Sequence, residues 1–133
     1  LTLVRLYHEN DGIQVDTVAT LPMAGNAMIR ACFSDADVAA RADACHDEYR
    51  FAAQIGLDPA GQGMPVLRLQ TQATRFPAGV SRFGDSLEKG PLTAKDLRTE
   101  TDRTCSYQRR LYWREGQYRP DTPLPDCSEF TGL

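Results

Sequence analysis

Val66-Leu67-Arg68-Leu69-Gln70-Thr71-Gln72-Ala73-Thr74-Arg75-Phe76 sets Leu67, Leu69 and Thr71 against Arg68, Gln70 and Gln72 with a period of two. Only an extended chain sends successive side chains to opposite faces, so this stretch reads as a half-buried strand. Residues 48–57 (EYRFAAQIGL) repeat the pattern, with Tyr49, Phe51, Ala53 and Ile55 on one face. The loop between them, residues 58–65 (DPAGQGMP), is rich in Gly and Pro, so the two strands are expected to pair as a hairpin.

Further hairpins are expected on either side. Residues 2–8 and 13–21 alternate apolar and polar residues around Asn10-Asp11-Gly12, whose residue types tolerate positive φ. The second segment slips phase once, from Ile13 and Val15 to Val18 and Leu21, and Pro22 ends it. Residues 26–33 read as another strand. Ser34 and Asp37 have capping-box spacing, and the Ala-rich run after them predicts a short helix from about Asp35 to Ala44. Thr93 and Asp96 repeat that spacing and predict one or two helical turns, whereas residues 77–91 lack a sustained period. Near the C-terminus, Tyr107, Leu111, Trp113 and Tyr118 surround Gly116, which suits the left-handed position of a tight hairpin with a bulge. Trp113 and Tyr118 would then face each other across two strands. The Pro-rich segment that follows cannot be a central strand.

The expected fold is thus mainly antiparallel β, one domain over residues 1–133, with one or two short helices and disulfide support. Four cysteines, none in Cys-x-x-Cys spacing, indicate two disulfides and an oxidising compartment, periplasmic or secreted. Three pairings are open. Cys32–Cys45 with Cys105–Cys127 closes the shortest loops, each worth roughly 3 kcal/mol in the chain-entropy account. A zinc site on these cysteines with His46 is disfavoured, because structural zinc ligands come as closely spaced pairs. The start Leu1-Thr2-Leu3, without Met, fits a cleaved terminus; a trimmed cytosolic fragment is the alternative. No apolar run is long enough for a transmembrane helix.

Net charge is −3, unevenly spread: residues 1–67 carry −5 and residues 68–133 carry +2. The basic cluster Arg98, Arg103, Arg109, Arg110, Arg114 and Arg119 is interleaved with acids, so a nucleic-acid partner is not expected. Asp35-x-Asp37 lacks the Gly and Glu of a calcium loop. Gly61-Gln62-Gly63 has the wrong spacing for a phosphate loop, and no Gly-x-Ser-x-Gly is present. No cofactor or metal is therefore expected.

Two candidate chemistries remain. His46 beside Asp47 and Glu48, or less favourably His8 beside Glu9 and Asp11, would serve as a general base in a small envelope hydrolase. Tyr107, Arg109, Arg110, Trp113, Arg114 and Tyr118 are residue types that dominate protein interfaces, and they form the expected binding surface for a protein partner. The alternative for Trp113 is that it fills the core.

The order Cys105, Trp113, Gly116, Tyr118, Cys127 resembles the closing segment of small bacterial envelope proteins of the lysozyme-inhibitor or immunity-protein type. That resemblance covers about 23 residues. It implies a bacterial envelope protein. The leading expectation is a secreted or periplasmic binding module that blocks a partner sterically and carries no catalytic residue. An accessory module of an envelope assembly is the remaining alternative.

Overall fold

The alternation of residues 66–76 is borne out by burial. The computed structural model describes residues 1–59 and 63–132, and in it Leu67, Leu69, Thr71 and Ala73 are buried while Arg68, Gln70 and Gln72 are exposed. The centre of the 58–65 loop, with most of the Gly61-Gln62-Gly63 triplet, lies outside the described residues. Eight strands and two short helices follow in chain order. They are β1 (Thr2–Glu9), β2 (Gly12–Thr20), β3 (Ala24–Arg30), α1 (Asp35–Ala40), β4 (His46–Asp58), β5 (Val66–Phe76), β6 (Glu100–Thr101), β7 (Gln108–Arg114), β8 (Gln117–Pro120) and α2 (Ser128–Thr131). Strand neighbours run β3-β4-β5-β7-β8, with β6 also on β5, and β1 and β2 form a separate two-stranded sheet. The protein is mainly antiparallel β with two disulfides, as its alternating pattern requires.

The chain divides into two compact units. The first comprises residues 1–23, 53–70 and 108–124. Asn10 and Asp11 both have positive φ, at 48° and 63°, and close the β1–β2 hairpin in the geometry that matches strand twist. The phase slip is a β-bulge: Val4 pairs with Thr17 and Leu3 with Ala19, leaving Val18 unpaired between them. The extra residue reverses the faces. Val18 and Leu21 are buried with Leu67, Leu69 and Leu111, whereas Ile13 and Val15 remain outside. The Leu1 ammonium donates to the Leu21 carbonyl at 2.8 Å, and Leu21 N–H returns a bond to Leu1 at 2.8 Å. β7 and β8 join through Glu115 and Gly116, both at positive φ, with Arg114 opposite Gln117. This is a two-residue turn without the expected bulge.

The second unit comprises residues 24–52, 71–107 and 125–133. Ser34 caps α1, its Oγ accepting from Asp37 N–H at 3.1 Å, and the Asp37 carboxylate accepts from Phe33 N–H at 2.9 Å. The helix stops at Ala40 rather than Ala44, because Arg41 turns its side chain back to the Ala44 carbonyl and to Asp47, and Ala42 and Asp43 take positive φ. The Thr93–Asp96 capping contacts form, with Thr93 N–H donating to Asp96 at 2.8 Å, yet only a turn results. Arg98 N–H already bonds the Asp96 carbonyl, and the chain leaves for β6. The C-terminal segment adds α2, which the Pro-rich composition concealed. Its Phe130 is fully buried against Tyr49, ring centroids 6.2 Å apart at 64°. Gly25 on β3 permits this, since a Cβ there would lie 2.1 Å from the Phe130 carbonyl oxygen. Cys32–Cys45 ties the segment bearing α1 to β4, and Cys105–Cys127 ties the start of α2 to the chain leading into β7.

Candidate functional site

Strand alternation decides where the aromatic and Arg residues of the C-terminal hairpin point. In the first unit Trp113 stands opposite Tyr118, with ring centroids 5.3 Å apart at 72°, on the face that also carries buried Leu111. The Arg5 guanidinium lies 5.5 Å from the Trp113 ring and 5.2 Å from Tyr7, within cation–π range of both. Tyr118 Oη donates to the Pro65 carbonyl at 2.9 Å, and burial raises the pKa of its hydroxyl. Trp113 and Tyr118 are thus half-buried and already partnered. Arg109 shares their face and donates to the Gln108 carbonyl at 2.9 Å. Arg110 and Arg114 point to the other face and are exposed. Tyr107 belongs to the second unit and is buried there. It donates its N–H to Thr71 Oγ1 at 3.0 Å and accepts from Thr71 N–H at 2.9 Å.

Arg110 joins Arg68, Gln70, Gln108 and Asp121 along a shallow cleft of about 390 Å³ in the first unit. Arg68 and Arg110 are directly opposite on paired strands, a like-charge placement that costs stability by itself. Asp58 offsets it by pairing with Arg68 Nε at 2.7 Å, while Asp121 accepts from the backbone N–H of Arg110 at 3.4 Å. The cleft offers guanidinium and amide donors to a polar ligand, and the Arg68 guanidinium is already paired with Asp58.

The most unusual surface of this unit is one that alternation alone would place inside. Val4, Leu6, Ile13 and Val15 share one face of the β1–β2 hairpin, Leu6 directly opposite Val15, and each is between 52% and 66% exposed. His8 pairs with Ile13 at the end of this row, and Glu9 and Asp11 lie at the tip. Singly exposed apolar residues are ordinary, whereas four branched aliphatics in adjacent register form a contiguous patch. Part of the signal was present in the sequence, since Val18 is out of phase with Ile13 and Val15; the bulge then turns Leu21 away from them as well.

The structure separates His46 from one of its two candidate acids. His46 is exposed and Asp47 buried, on opposite faces of β4, and Asp47 is engaged by Arg41. Glu48 shares the His46 face but bonds Arg50 at 3.3 Å. All four cysteines are in disulfides, so none is a thiolate nucleophile or zinc ligand. Among the described residues no three His, Cys, Asp or Glu gather as a metal-binding group, and no helix is long and apolar enough to cross a membrane. Comparison with known protein families, with curated proteins and with solved structures finds no match to this chain.

Proposed function

We propose that this chain is a disulfide-stabilised binding module of an oxidising compartment, periplasmic or secreted, that blocks a protein partner sterically in the manner of an inhibitor or immunity protein. The two disulfides support the compartment. The single observation that carries the binding role is the aliphatic face of β1–β2: Val4, Leu6, Ile13 and Val15 exposed together on one side of a hairpin. Each is a little over half exposed, so burial would recover roughly 1–2 kcal/mol per side chain. Sequences generally avoid such a conflict between local pattern and placement except where function needs it. The partner is a protein with an apolar groove and a basic margin, complementary to the aliphatic row and to Glu9 and Asp11 at the hairpin tip. This face takes the place of the Tyr107–Tyr118 segment as the principal contact, because Tyr107 is buried and Trp113 and Tyr118 are already partnered.

The test is affinity capture with the immobilised oxidised protein against envelope and culture-supernatant extracts, run beside a Leu6→Glu/Val15→Glu variant whose fold is checked by circular dichroism. A stoichiometric partner that binds the parent and is lost by at least tenfold in the variant supports the reading. Its own activity, measured with and without this chain, then tests the inhibitory role. A partner held equally by both baits sinks the hairpin as the contact face.

A further inference from the structure

β3 is an outermost strand of its sheet, with β4 as its one neighbour. The pairing sets Gly25 opposite Phe51, Ala27 opposite Tyr49 and Ile29 opposite Asp47. The same register continues at both ends, where Ala31 N–H donates to the Cys45 carbonyl and Ala53 N–H to the Met23 carbonyl, each at 2.8 Å. Antiparallel strands exchange both bonds at every second pair, so the odd-numbered residues of β3 turn their N–H and C=O to β4. Ala24, Asn26, Met28 and Arg30 turn theirs outward, and among the described residues no hydrogen bond from another segment reaches them.

An open edge is a template for another strand, and proteins ordinarily blunt it with Pro, Lys, a bulge or a very short strand. β8, at the other end of the strand order, is four residues long and ends in Pro120. β3 has seven residues, pairs without a register shift, holds neither Pro nor Lys and carries one charge, Arg30. That side chain closes the far end of the edge, donating Nε to the Cys32 carbonyl at 2.8 Å. Beside the same strand lies a cavity of about 160 Å³, against Ile29 and Ala31 and bounded by Phe33 and the loop 81–87. Ile29, Phe33 and Leu87 leave hydrocarbon exposed there. The charged neighbours are already engaged: Arg82 with the Glu129 carbonyl, Asp47 with Arg41, and Asp85 with Leu87 N–H. What remains unmet is a row of backbone donors and acceptors and an apolar seat next to it.

We propose that the open edge of β3 receives an extended segment of a protein partner as an added strand, one of whose apolar side chains enters the cavity beside Ile29. Main-chain hydrogen bonds to Asn26, Met28 and Arg30 give the affinity, and the side-chain seat gives the selectivity. The seated side chain is no larger than Leu or Phe, because an apolar cavity of about 150 Å³ holds one benzene ring. A second copy of this chain fits less well. Antiparallel pairing of two β3 strands about Met28 sets Gly25 of the copy opposite Ala31, and the copy's α2, which lies over Gly25, comes against the cavity. A lone extended segment carries no such bulk. The edge lies wholly in the second unit and does not depend on the hairpin face.

The experiment selects a phage-displayed library of random linear peptides on the oxidised protein and sets aside those that Leu6→Glu/Val15→Glu no longer holds, as binders of the hairpin. The remainder should alternate apolar and polar residues. Amide hydrogen exchange then reads β3 residue by residue. In the free protein the Asn26, Met28 and Arg30 amides should exchange fast and those of Ala27 and Ile29 slowly, and a saturating peptide should slow the first three by roughly tenfold or more. Met28→Pro removes an outward donor without touching the β4 ladder, a placement that an edge strand tolerates. It should weaken the peptide by roughly tenfold or more. Leu87→Glu charges the cavity from the loop and should weaken the peptide several-fold; it serves as the second variant should Met28→Pro disturb the fold. The proposal is overturned if no such peptide is enriched, if the enriched peptides leave the three outward amides unprotected, or if affinity is unchanged in a well-folded Met28→Pro or Leu87→Glu variant. Protection of those amides in the free protein that fades on dilution would assign the edge to a second copy and overturn it equally.

Discussion

Removing the carboxylate of Asp47 should be one of the most damaging single changes in this protein. Its partner Arg41 is buried to the same degree, the two side chains being 3% and 4% exposed. The Asp47→Asn substitution keeps the shape and a hydrogen-bond acceptor but deletes the charge. Arg41 would then hold an uncompensated cation away from water. Its surroundings offer little relief: Nε is committed to the Ala44 carbonyl at 2.8 Å, and Nη1 is already buried without a partner. Breaking one side of a buried pair costs about 3–5 kcal/mol, whereas replacing both partners by apolar residues of similar volume is often neutral or stabilising. Urea unfolding should therefore show Asp47→Asn less stable by about 3–5 kcal/mol with an unchanged m-value, and Arg41→Met/Asp47→Val within about 1 kcal/mol of the parent. With Arg41→Met and Asp47→Val also measured singly, a double-mutant cycle isolates the coupling energy of the pair. A loss below about 1 kcal/mol in Asp47→Asn would mean that water reaches Arg41, and the reasoning from burial would fall.

Three further outcomes follow from separate features. Gly25→Ala should cost about 2–4 kcal/mol in denaturant unfolding, because a Cβ 2.1 Å from the Phe130 carbonyl forces α2 off β3 and loosens both the burial of Phe130 and its edge contact with Tyr49; a cost under about 1 kcal/mol would show that the close approach relaxes freely. Cys105→Ala/Cys127→Ala should lose about 3 kcal/mol, as expected for a disulfide closing a sequence separation of 22 residues, and an unchanged thermal midpoint would refute that account. Asp96 has its pKa lowered, chiefly by the backbone N–H of Thr93, so its ionised form stabilises the fold above the ordinary carboxylate range and that contribution is lost as pH falls through the folded-state pKa. Asp96→Asn should consequently be less stable than the parent at pH 7, with the gap narrowing below about pH 4; a gap that stays constant down to pH 2 would contradict the assignment.

Strand existence was legible because burial and polarity alternate residue by residue. β4 and β5 read almost to their ends, and the β1–β2 and β7–β8 turns announce themselves in Asn10-Asp11 and Gly116. What escaped depends on tertiary partners. α2 is only four residues long, follows a Pro-rich stretch and exists because Phe130 has Tyr49 to cover and Cys127 to hold it. β6 is two residues borrowed by β5. The turn at 93–96 carries capping chemistry but lacks a sequel that could bury an apolar stripe, and local propensity alone does not sustain a helix. Of the surface residues, Arg110 and Arg114 were foreseeable from the phase of β7. The exposure of Ile13 and Val15 needed the bulge at Val18, and the burial of Tyr49 against Phe130 needed the second unit around it.

Both disulfides close within the second unit, and this separates two properties that one look at the cysteines merges. Cys32–Cys45 and Cys105–Cys127 pin segments with few ladder hydrogen bonds, the α1 connection and α2, and these surround the same packed face of β4 on which Tyr49 and Asp47 lie. The first unit has no such tie. Its β1–β2 hairpin, which would be marginal as an isolated pair of strands, is instead anchored by burying Val18 and Leu21 behind the bulge and by the reciprocal bonds of Leu1 and Leu21. The bulge therefore does two jobs with one inserted residue: it commits the far end of the hairpin to the core and turns the near end's aliphatics outward. The disulfides thus belong to the second unit's architecture, whereas the aliphatic face of the hairpin owes its form to strand register alone.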